Sequence, residues 1–263
     1  MEAVRPAAFL RRTPEGGAQP IERPLAVERP VAIEIDGVGY AVMMATPEAL
    51  DDFATGFCLS ERLIDRADQL LAIEPHEAER GVLLRLALAK GVRERVFERV
   101  RHRVSESSCG LCGIENLEQA LRPLPRVTPP AEPVASEAIF RALGAIREHQ
   151  PIGRETGAVH AAAFCDASGA IRLAREDIGR HNAFDKLVGA MARAGEGWGE
   201  GFALTTARLS YELVEKAALS LCHTLVAISA PTSLAVERAA EAGVRIIALA
   251  RPDAALEALT PSD

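Results

Sequence analysis

The clearest secondary-structure signals in the chain occur in "GAVHAAAFCDASGAIRLAREDIGRHNAFDKLVGAMARAG", residues 157–195. Its first half has two apolar runs separated by the turn residues 166–169, a pattern that predicts an antiparallel hairpin. Its second half places apolar residues at helical spacing between Phe184 and Met191, and Gly195 follows them as a helix-ending residue. The stretch therefore predicts two paired strands followed by an amphipathic helix.

The rest of the C-terminal half alternates apolar strands with amphipathic helices. The predicted elements are strand 202–206, helix 210–221, strand 224–228, helix 232–242 and strand 245–249. A hairpin followed by repeated helix–strand units indicates a sheet that contains parallel strands and is covered by helices.

The N-terminal half begins with a second hairpin signal. In "RPVAIEIDGVGYAVMMATPE", residues 29–48, the dipeptide Asp36-Gly37 separates two apolar strands. Thr46 is expected to cap the helix that follows, with Pro47 at its first position. Two further short strands are predicted at 70–75 and 81–88.

The composition divides the chain into four parts. The N-terminal residues mix Pro, Gly, Arg and Glu without periodicity, and a segment dense in proline lies near the middle of the chain. The predicted parts are a flexible N-terminal arm 1–28, an N-terminal α/β domain 29–122 ending in a cysteine loop, a Pro-rich linker 123–134 and a C-terminal domain 135–263.

The bulk composition is that of a globular protein with an acidic balance. The 263 residues are 48% apolar and 25% charged, and the net charge is −7, which disfavours nucleic-acid binding. No apolar run is long enough to cross a bilayer, and the N-terminus lacks the apolar core of a signal peptide. We therefore expect a cytoplasmic protein with neither a membrane nor a nucleic-acid partner.

Two of the five cysteines form a CxxC pair in "SESSCGLCGIEN", residues 105–116. Cys58, Cys165 and Cys222 occur singly in apolar surroundings, where buried packing is expected. The CxxC pair follows a basic segment and precedes a predicted helix start, and both features favour the thiolate over the thiol.

Several interpretations of Cys109 and Cys112 remain open. A structural zinc site needs four ligands, and the sequence has only one CxxC. A deaminase-type zinc site could use His160, but Ala162 stands where the general acid–base glutamate is needed. A thioredoxin-like redox pair requires an apolar run before it, whereas the preceding run is charged. An inert loop pair and a thiolate that accepts and passes on sulfur are the remaining interpretations, and the setting favours the second.

The segment "REDIGRHNAFDKLVG", residues 175–189, gathers cations at a predicted helix start. Backbone N–H groups and cations at such a start are typical of a phosphate or pyrophosphate site. The polar residue Ser229 is predicted at the carboxyl end of a strand, where parallel sheets bind ligands. The candidate ligand contacts are Asp177, Gly179, Arg180, His181, Asn182, Lys186 and Ser229.

Five motifs in this order and spacing resemble the formate dehydrogenase accessory sulfurtransferase family, FdhD. They are "SSCGLCG", "TGAVHAAAF", "REDIGRHNAFDKLVG", "ARLSYELVEKAA" and "ISAPTSLAVERA". Together with the segment that starts at residue 29, the resemblance extends to about residue 251.

The resemblance implies an α/β fold with a cytidine deaminase-like mixed sheet, covered by helices, in the C-terminal half and a smaller α/β N-terminal domain. It also implies a soluble bacterial homodimer that is a sulfurtransferase, or persulfide carrier. Such a protein takes sulfur from a cysteine desulfurase and delivers it to the molybdenum cofactor of apo-formate dehydrogenase. That cofactor is Mo-bis(molybdopterin guanine dinucleotide), which a GDP-like fragment would mimic, and no structural metal is expected. A chaperone that binds the cofactor or the apo-enzyme without moving sulfur is the alternative.

The resemblance also implies roles for individual residues. Cys109 matches the persulfide-bearing cysteine, with Cys112 as its companion. The family binds the cofactor just past the last predicted strand, which here corresponds to Leu249, Ala250, Arg251, Pro252, Asp253 and Ala254. Only Arg251 in that segment matches the basic and aromatic pattern of the family.

Overall fold

The computed structural model describes residues 1–105 and 121–259, except for the side chains of 101–105. The N-terminal elements are β1 (Val4–Arg12), β2 (Ala18–Ala26), β3 (Arg29–Ile35), β4 (Val38–Ala45), α1 (Leu50–Ser60), β5 (Leu70–Ala78), β6 (Gly81–Leu88) and α2 (Arg93–Ser105). The C-terminal helices are α3 (Ser136–Ala145), α4 (Pro151–Thr156), α5 (Arg180–Ala194), α6 (Tyr211–Leu219) and α7 (Ser233–Ala242). The C-terminal strands are β7 (His160–Cys165), β8 (Ile171–Asp177), β9 (Phe202–Thr205), β10 (Thr224–Ala227), β11 (Arg245–Ala248) and β12 (Leu256–Glu257).

Residues 1–28, predicted as a flexible arm without periodic structure, contain two strands. β1 and β2 pair in an antiparallel hairpin of their own, with Pro6 opposite Pro24. Proline is rare in the interior strands of a sheet because it has no backbone N–H to donate. Both strands of a two-stranded ribbon are edge strands, where proline is tolerated. Composition therefore gave a misleading signal for this segment.

The second N-terminal sheet has the strand order β4-β3-β6-β5. Asp36 and Gly37 both have positive φ, 49° and 82°, as a two-residue type I′ hairpin turn requires. The apolar faces of β3 and β6 pack against α1, and Ile33, Phe53 and Leu84 are buried in that core. The predicted hairpin and the two later strands are confirmed.

The start of α1 differs from the prediction that Thr46 caps it. The residue before the helix is Ala49, in a left-handed conformation with φ 51°, and it makes no side-chain cap. Thr46 is fully buried, and its hydroxyl accepts a hydrogen bond from the Ile178 backbone N–H at 3.2 Å. A tertiary contact with the C-terminal half thus replaces the local cap.

The C-terminal sheet has the strand order β12-β11-β10-β9-β7-β8. β9, β10 and β11 are parallel, whereas β7 and β8 form the predicted antiparallel hairpin. Helices α5, α6 and α7 contribute to the core on one face of this sheet, and α3 packs on the other. The mixed α/β class is confirmed. The cytidine deaminase-like character of the C-terminal sheet stays a prediction.

The two halves meet where α1 crosses α5. A Cβ on Gly56 would lie 1.8 Å from the Asp185 carbonyl oxygen, and one on Gly189 would lie 1.9 Å from that of Asp52. Neither position accepts a side chain without displacing backbone, so glycine allows the helices to touch. This contact brings the end of α1 close to the first half of α5.

The proline-rich segment 123–134, all of which is described, contains neither helix nor strand. It packs along α7, where buried Val127 donates its N–H to the Ala242 carbonyl at 2.7 Å. Among the described residues, no helix has the length and apolar character needed to cross a membrane.

Candidate functional site

The strand register collects several predicted site residues at one edge of the C-terminal sheet. β7 runs antiparallel to β9, so the start of β7 lies beside the carboxyl end of β9. His160 pairs with Asp177 across β7 and β8, and the same edge carries the ends of β10 and β11. This is the edge at which parallel sheets bind ligands.

The loops after β9, β10 and β11 are hydrogen-bonded side by side along this edge. The Leu249 N–H donates to the Ser229 carbonyl at 3.2 Å, and the Ser229 hydroxyl lies 3.5 Å from the Thr206 carbonyl. Leu249 has a positive φ of 48°, which is uncommon for a branched residue. The structure therefore brings together two of the predicted cofactor contacts, Ser229 and Leu249.

The remaining predicted cofactor residues after β11 form a short turn. Ala250 is buried, and its N–H donates to the Ala227 carbonyl at 3.0 Å. Arg251 closes the turn by donating its N–H to the Ala254 carbonyl at 2.8 Å. Residues 251–254 are exposed and could contact a ligand lying over the sheet edge.

The start of α5 places a permanent cation at the same edge. Gly179 precedes the helix, and a Cβ there would lie 2.8 Å from the Asn182 amide nitrogen. Arg180 is half-buried, and its Nε is buried without a hydrogen-bond partner among the described residues. A guanidinium with unused donors at a helix N-terminus can bind an anion.

Two histidines flank Arg180 without adding charge at neutral pH. His181 Nε2 lies 3.3 Å from Ser210 Oγ and 3.3 Å from Glu212 Oε2. Burial lowers the pKa of His181 and of His160, and the positive charge of Arg180 lowers both further. Both rings are therefore neutral at pH 7, which leaves Arg180 as the cation among these three residues.

Three other residues of this motif face the protein interior, contrary to the expectation that they contact a ligand. Lys186 Nζ lies 2.6 Å from Asp177 Oδ2, and both side chains are buried. Asn182 donates its amide to Asp177 Oδ1 at 3.0 Å and to the Met44 carbonyl at 2.8 Å. Lys186 also donates to the Thr46 carbonyl at 2.9 Å. These groups tie the two halves of the chain together, because β4 and α5 share the network.

A second ion pair involves the buried carboxylate of Asp185, the residue directly before Lys186 on α5. Lys216 Nζ lies 2.7 Å and 2.8 Å from the two carboxylate oxygens of Asp185, and the Ser60 hydroxyl donates to the same carboxylate at 2.6 Å. Asp185 therefore joins α1, α5 and α6 and does not orient Arg180 or His181.

Sequence reasoning missed a group of three arginines, which we call the guanidinium cluster: Arg62, Arg99 and Arg122. Arg62 donates to the Pro123 carbonyl at 3.0 Å, and Arg99 donates to the Glu61 carbonyl at 3.1 Å. Arg99 lies on α2, and Arg122 is close to the resumption of the described chain at residue 121. Only the tertiary fold brings these residues together, so no local sequence signal identifies the cluster.

Helix α6 connects the guanidinium cluster with the α5 start. Its Glu212 contacts His181, and its Glu215 provides a favourable charge interaction to both Arg62 and Arg122. Residues three apart on a helix differ by about 4.5 Å along its axis. One helix therefore provides carboxylates to both the α5 start and the guanidinium cluster.

The three cysteines in the described residues are buried free thiols, as expected. Burial raises the pKa of both Cys165 and Cys222 to about 12, and it raises the pKa of Cys58 as well. A thiol with such a pKa contains almost no thiolate at neutral pH and is a poor nucleophile. The predicted catalytic residues Cys109 and Cys112 lie outside the described residues.

The zinc interpretation involves His160, whose ring lies near Arg180 and Asp177. Among the side chains that the structure describes, those of residues 1–100 and 121–259, no group of three His, Cys, Asp or Glu residues could hold a metal ion.

Comparison with known proteins identifies the family. The model of the FdhD/NarQ family matches residues 26–258. The sulfur carrier protein FdhD of Xanthomonas campestris pv. campestris (strain B100) is 44% identical over 251 residues, which are 94% of this chain and 89% of that protein. The protein of the same name from Variovorax paradoxus (strain S110) is 42% identical over 229 residues, 87% of this chain and 82% of that protein.

One solved structure has the same fold. A crystal structure described as that of a candidate formate dehydrogenase accessory protein from Desulfotalea psychrophila matches with a TM-score of 0.74. The match covers 99% of this chain and 98% of the other, at 22% identity. The structural match establishes the fold, and the family model with the more similar relatives establishes that this chain belongs to the FdhD/NarQ family.

Proposed function

We propose that the chain is a sulfur carrier for formate dehydrogenase. It accepts sulfur from a cysteine desulfurase as a persulfide on Cys109 and delivers it to Mo-bis(molybdopterin guanine dinucleotide). The observation that carries the proposal is 44% identity, over 94% of the chain, to a protein named as a sulfur carrier. The three buried cysteines support it by elimination, because their raised pKa values disfavour the thiolate that sulfur transfer requires.

The proposed loading step is an exchange at sulfur. The Cys109 thiolate attacks the outer sulfur of the desulfurase persulfide, and a new S–S bond forms as the donor's S–S bond breaks. The donor cysteine leaves as a thiolate, so the step needs no external oxidant or reductant.

The proposed delivery step uses Cys112. Its thiolate attacks Cys109 Sγ, a disulfide forms between the two cysteines, and the outer sulfur leaves as sulfide for the cofactor bound as substrate. The electron pair carried by sulfide comes from the two cysteines. A cellular thiol reductant then reduces the disulfide and restores the carrier.

The sheet edge is the proposed binding surface for the nucleotide parts of the cofactor. Four strand spacings separate β8 from β11, about 19 Å in all, a span that suits an extended dinucleotide. The groups available along it are Gly179, Arg180, His181, Ser229, Leu249 and residues 251–254. Lys186, Asp177 and Asn182 support this surface from below by holding α5 in place.

We also propose two macromolecular partners. They are the apo-enzyme of formate dehydrogenase and a second copy of this chain, with the cytoplasm as the expected location.

Replacing Arg180 by glutamine should weaken the binding of GDP about tenfold, because a charge-assisted hydrogen bond to a phosphate is lost. The remaining affinity should depend less on salt concentration. Isothermal titration calorimetry at two salt concentrations measures both effects. Arg172→Gln, at an exposed position of β8, is the matched control and should bind GDP as the unmodified chain does. Equal GDP affinity in both variants would remove Arg180 from the cofactor site.

Intact mass spectrometry distinguishes the proposed carrier from the alternatives. After incubation with cysteine and a desulfurase, a carrier gains one sulfur atom, which a thiol reductant removes. A chaperone that binds only the cofactor or the apo-enzyme keeps its original mass. A zinc-dependent deaminase would also keep its mass and would contain stoichiometric zinc on elemental analysis.

A further inference from the structure

We propose that the guanidinium cluster is a binding site for a phosphate-class oxyanion, distinct from the site at the start of α5. The ligand is either free phosphate or a phosphate of a nucleotide. The inference goes beyond the proposed sulfur transfer, since anion binding can be measured without any sulfur donor.

Backbone contacts hold the three arginines of the cluster in one place. The Arg62 guanidinium binds the Pro123 carbonyl, next to Arg122 in the chain. Arg238, on α7, donates to the Arg122 carbonyl and so anchors that segment from the other side. Arg99 reaches from α2 to the carbonyl of Glu61, which is adjacent to Arg62. Three separate parts of the chain therefore converge on the cluster.

Among the described side chains, positive charge exceeds negative charge around the cluster. The carboxylate of Glu215 lies 2.7 Å from Arg238, and the latter also pairs with Glu241 at 2.6 Å. Glu61 Oε2 lies 3.5 Å from Arg99. Four guanidiniums thus meet three carboxylates, and the Glu241 side chain is 60% exposed, which weakens its contribution through solvent screening.

Two arginines of the cluster have unused donors. The Arg122 guanidinium donates no hydrogen bond to the described residues, and Glu61 and Glu215 act on it only through longer-range charge interactions. Arg62 Nε is buried and likewise makes no hydrogen bond to the described part of the chain. Arg62 also has a left-handed backbone, φ 60°, which is uncommon for a residue of its size. This conformation ends α1, because the Arg62 N–H donates to the Leu59 carbonyl at 3.0 Å and the Leu63 N–H donates to the Cys58 carbonyl at 2.9 Å, as in a Schellman motif.

The electrostatic environment of the cluster favours an added anion. Burial lowers the pKa values of Arg62 and Arg122, and repulsion between the cluster's own guanidiniums lowers them further. A bound anion would relieve this repulsion and fill the unused donors. The planar guanidinium fork matches the oxygens of a phosphate group with two parallel hydrogen bonds. A phosphate, which carries up to two negative charges near neutral pH, suits three converging arginines better than a single carboxylate.

Calorimetric titration with inorganic phosphate tests the site in the full chain. Arg122→Gln should weaken phosphate binding about tenfold or more, through the loss of a charge-assisted hydrogen bond, and Arg99→Gln should weaken it in the same direction. Arg126→Gln, at an exposed arginine of the same segment, is the matched control and should leave binding unchanged. Circular dichroism of each variant verifies that the chain is folded.

A second titration with GDP identifies the source of the phosphate. If Arg122→Gln weakens GDP binding as much as Arg180→Gln does, the cluster binds a nucleotide phosphate. If Arg122→Gln weakens only inorganic phosphate, the cluster binds the free anion. Unchanged phosphate affinity in folded Arg122→Gln and Arg99→Gln, or no phosphate binding by the unmodified chain at millimolar concentration, would overturn the proposal. Sulfur loading is measured separately, so failure of this site does not affect the proposed carrier function.

Discussion

Replacing Cys109 by alanine is expected to abolish sulfur loading from a cysteine desulfurase and, with it, the formate dehydrogenase activity that depends on this chain. The loss should be near-complete because Cys112 is assigned to the later release step and the other three cysteines are poor nucleophiles. Of the remaining cysteines, Cys58, Cys165 and Cys222 are buried with raised pKa values, so their thiolate population is negligible near neutral pH. Intact mass measures the loading, and formate oxidation in cells that lack the natural copy measures the dependent activity.

Two further replacements make the Cys109 experiment specific. Cys222→Ala removes a buried thiol and should leave loading per folded molecule unchanged. Cys112→Ala should still accept sulfur on Cys109 but should release little of it as sulfide, because the attacking thiolate of the delivery step is missing. Normal loading in Cys109→Ala would contradict the assignment. Normal release in Cys112→Ala would contradict the proposed delivery step.

Replacing Lys186 by methionine should lower the free energy of unfolding by about 3–5 kcal/mol, the usual cost of leaving one charge of a buried pair without its partner. The Asp177 carboxylate would remain buried, and its remaining partners in the described part of the chain would be the backbone N–H groups of Thr46 and Gly179 and the side-chain amide of Asn182. Because the network joins β4 to α5, the loss should appear as destabilisation of the whole chain. Urea unfolding followed by circular dichroism measures it.

Two other variants test whether the loss of stability is specific to the buried Asp177–Lys186 pair. Arg66→Met breaks an ion pair with Asp68 whose side chains are 72% and 67% exposed, so its unfolding midpoint should not move measurably. The double variant Asp177→Asn with Lys186→Met should lose less stability than the sum of the two single variants, since the pair acts as a unit. If the Lys186→Met chain were as stable as the unmodified chain but bound GDP more weakly, Lys186 would be a ligand contact and not a structural residue.

Local signals predicted most of the C-terminal fold. The turn residues 166–169, the helix-ending Gly195 and the alternation of apolar runs with amphipathic segments act over a few residues, and strands and helices formed where they indicated. Asp36-Gly37 was equally reliable because a type I′ turn depends on the backbone freedom of two adjacent residues. The hairpin at residues 4–26 was missed because its prolines are tolerated only in a ribbon made of edges.

The candidate site was less predictable, because the role of a charged residue depends on its tertiary partners. Arg180 and Lys186 are six positions apart on one helix, yet the first has an unused donor and the second is buried against Asp177. Thr46 has the local pattern of a helix cap but bonds Ile178 of the other half. Arg62 and Arg122 are sixty residues apart in the sequence and meet only in the folded chain. Sequence patterns identified the residue types of the site, and only the fold determines which of them face a ligand.

Peptide mapping of the loaded chain tests the carrier role most directly. The chain is incubated with cysteine and a desulfurase, free thiols are blocked, and the digested peptides are examined for an added sulfur atom. We predict that the adduct is found on the peptide containing Cys109 and disappears after treatment with a reductant. An adduct confined to Cys58, Cys165 or Cys222, or the absence of any adduct while the desulfurase is active, would contradict the account.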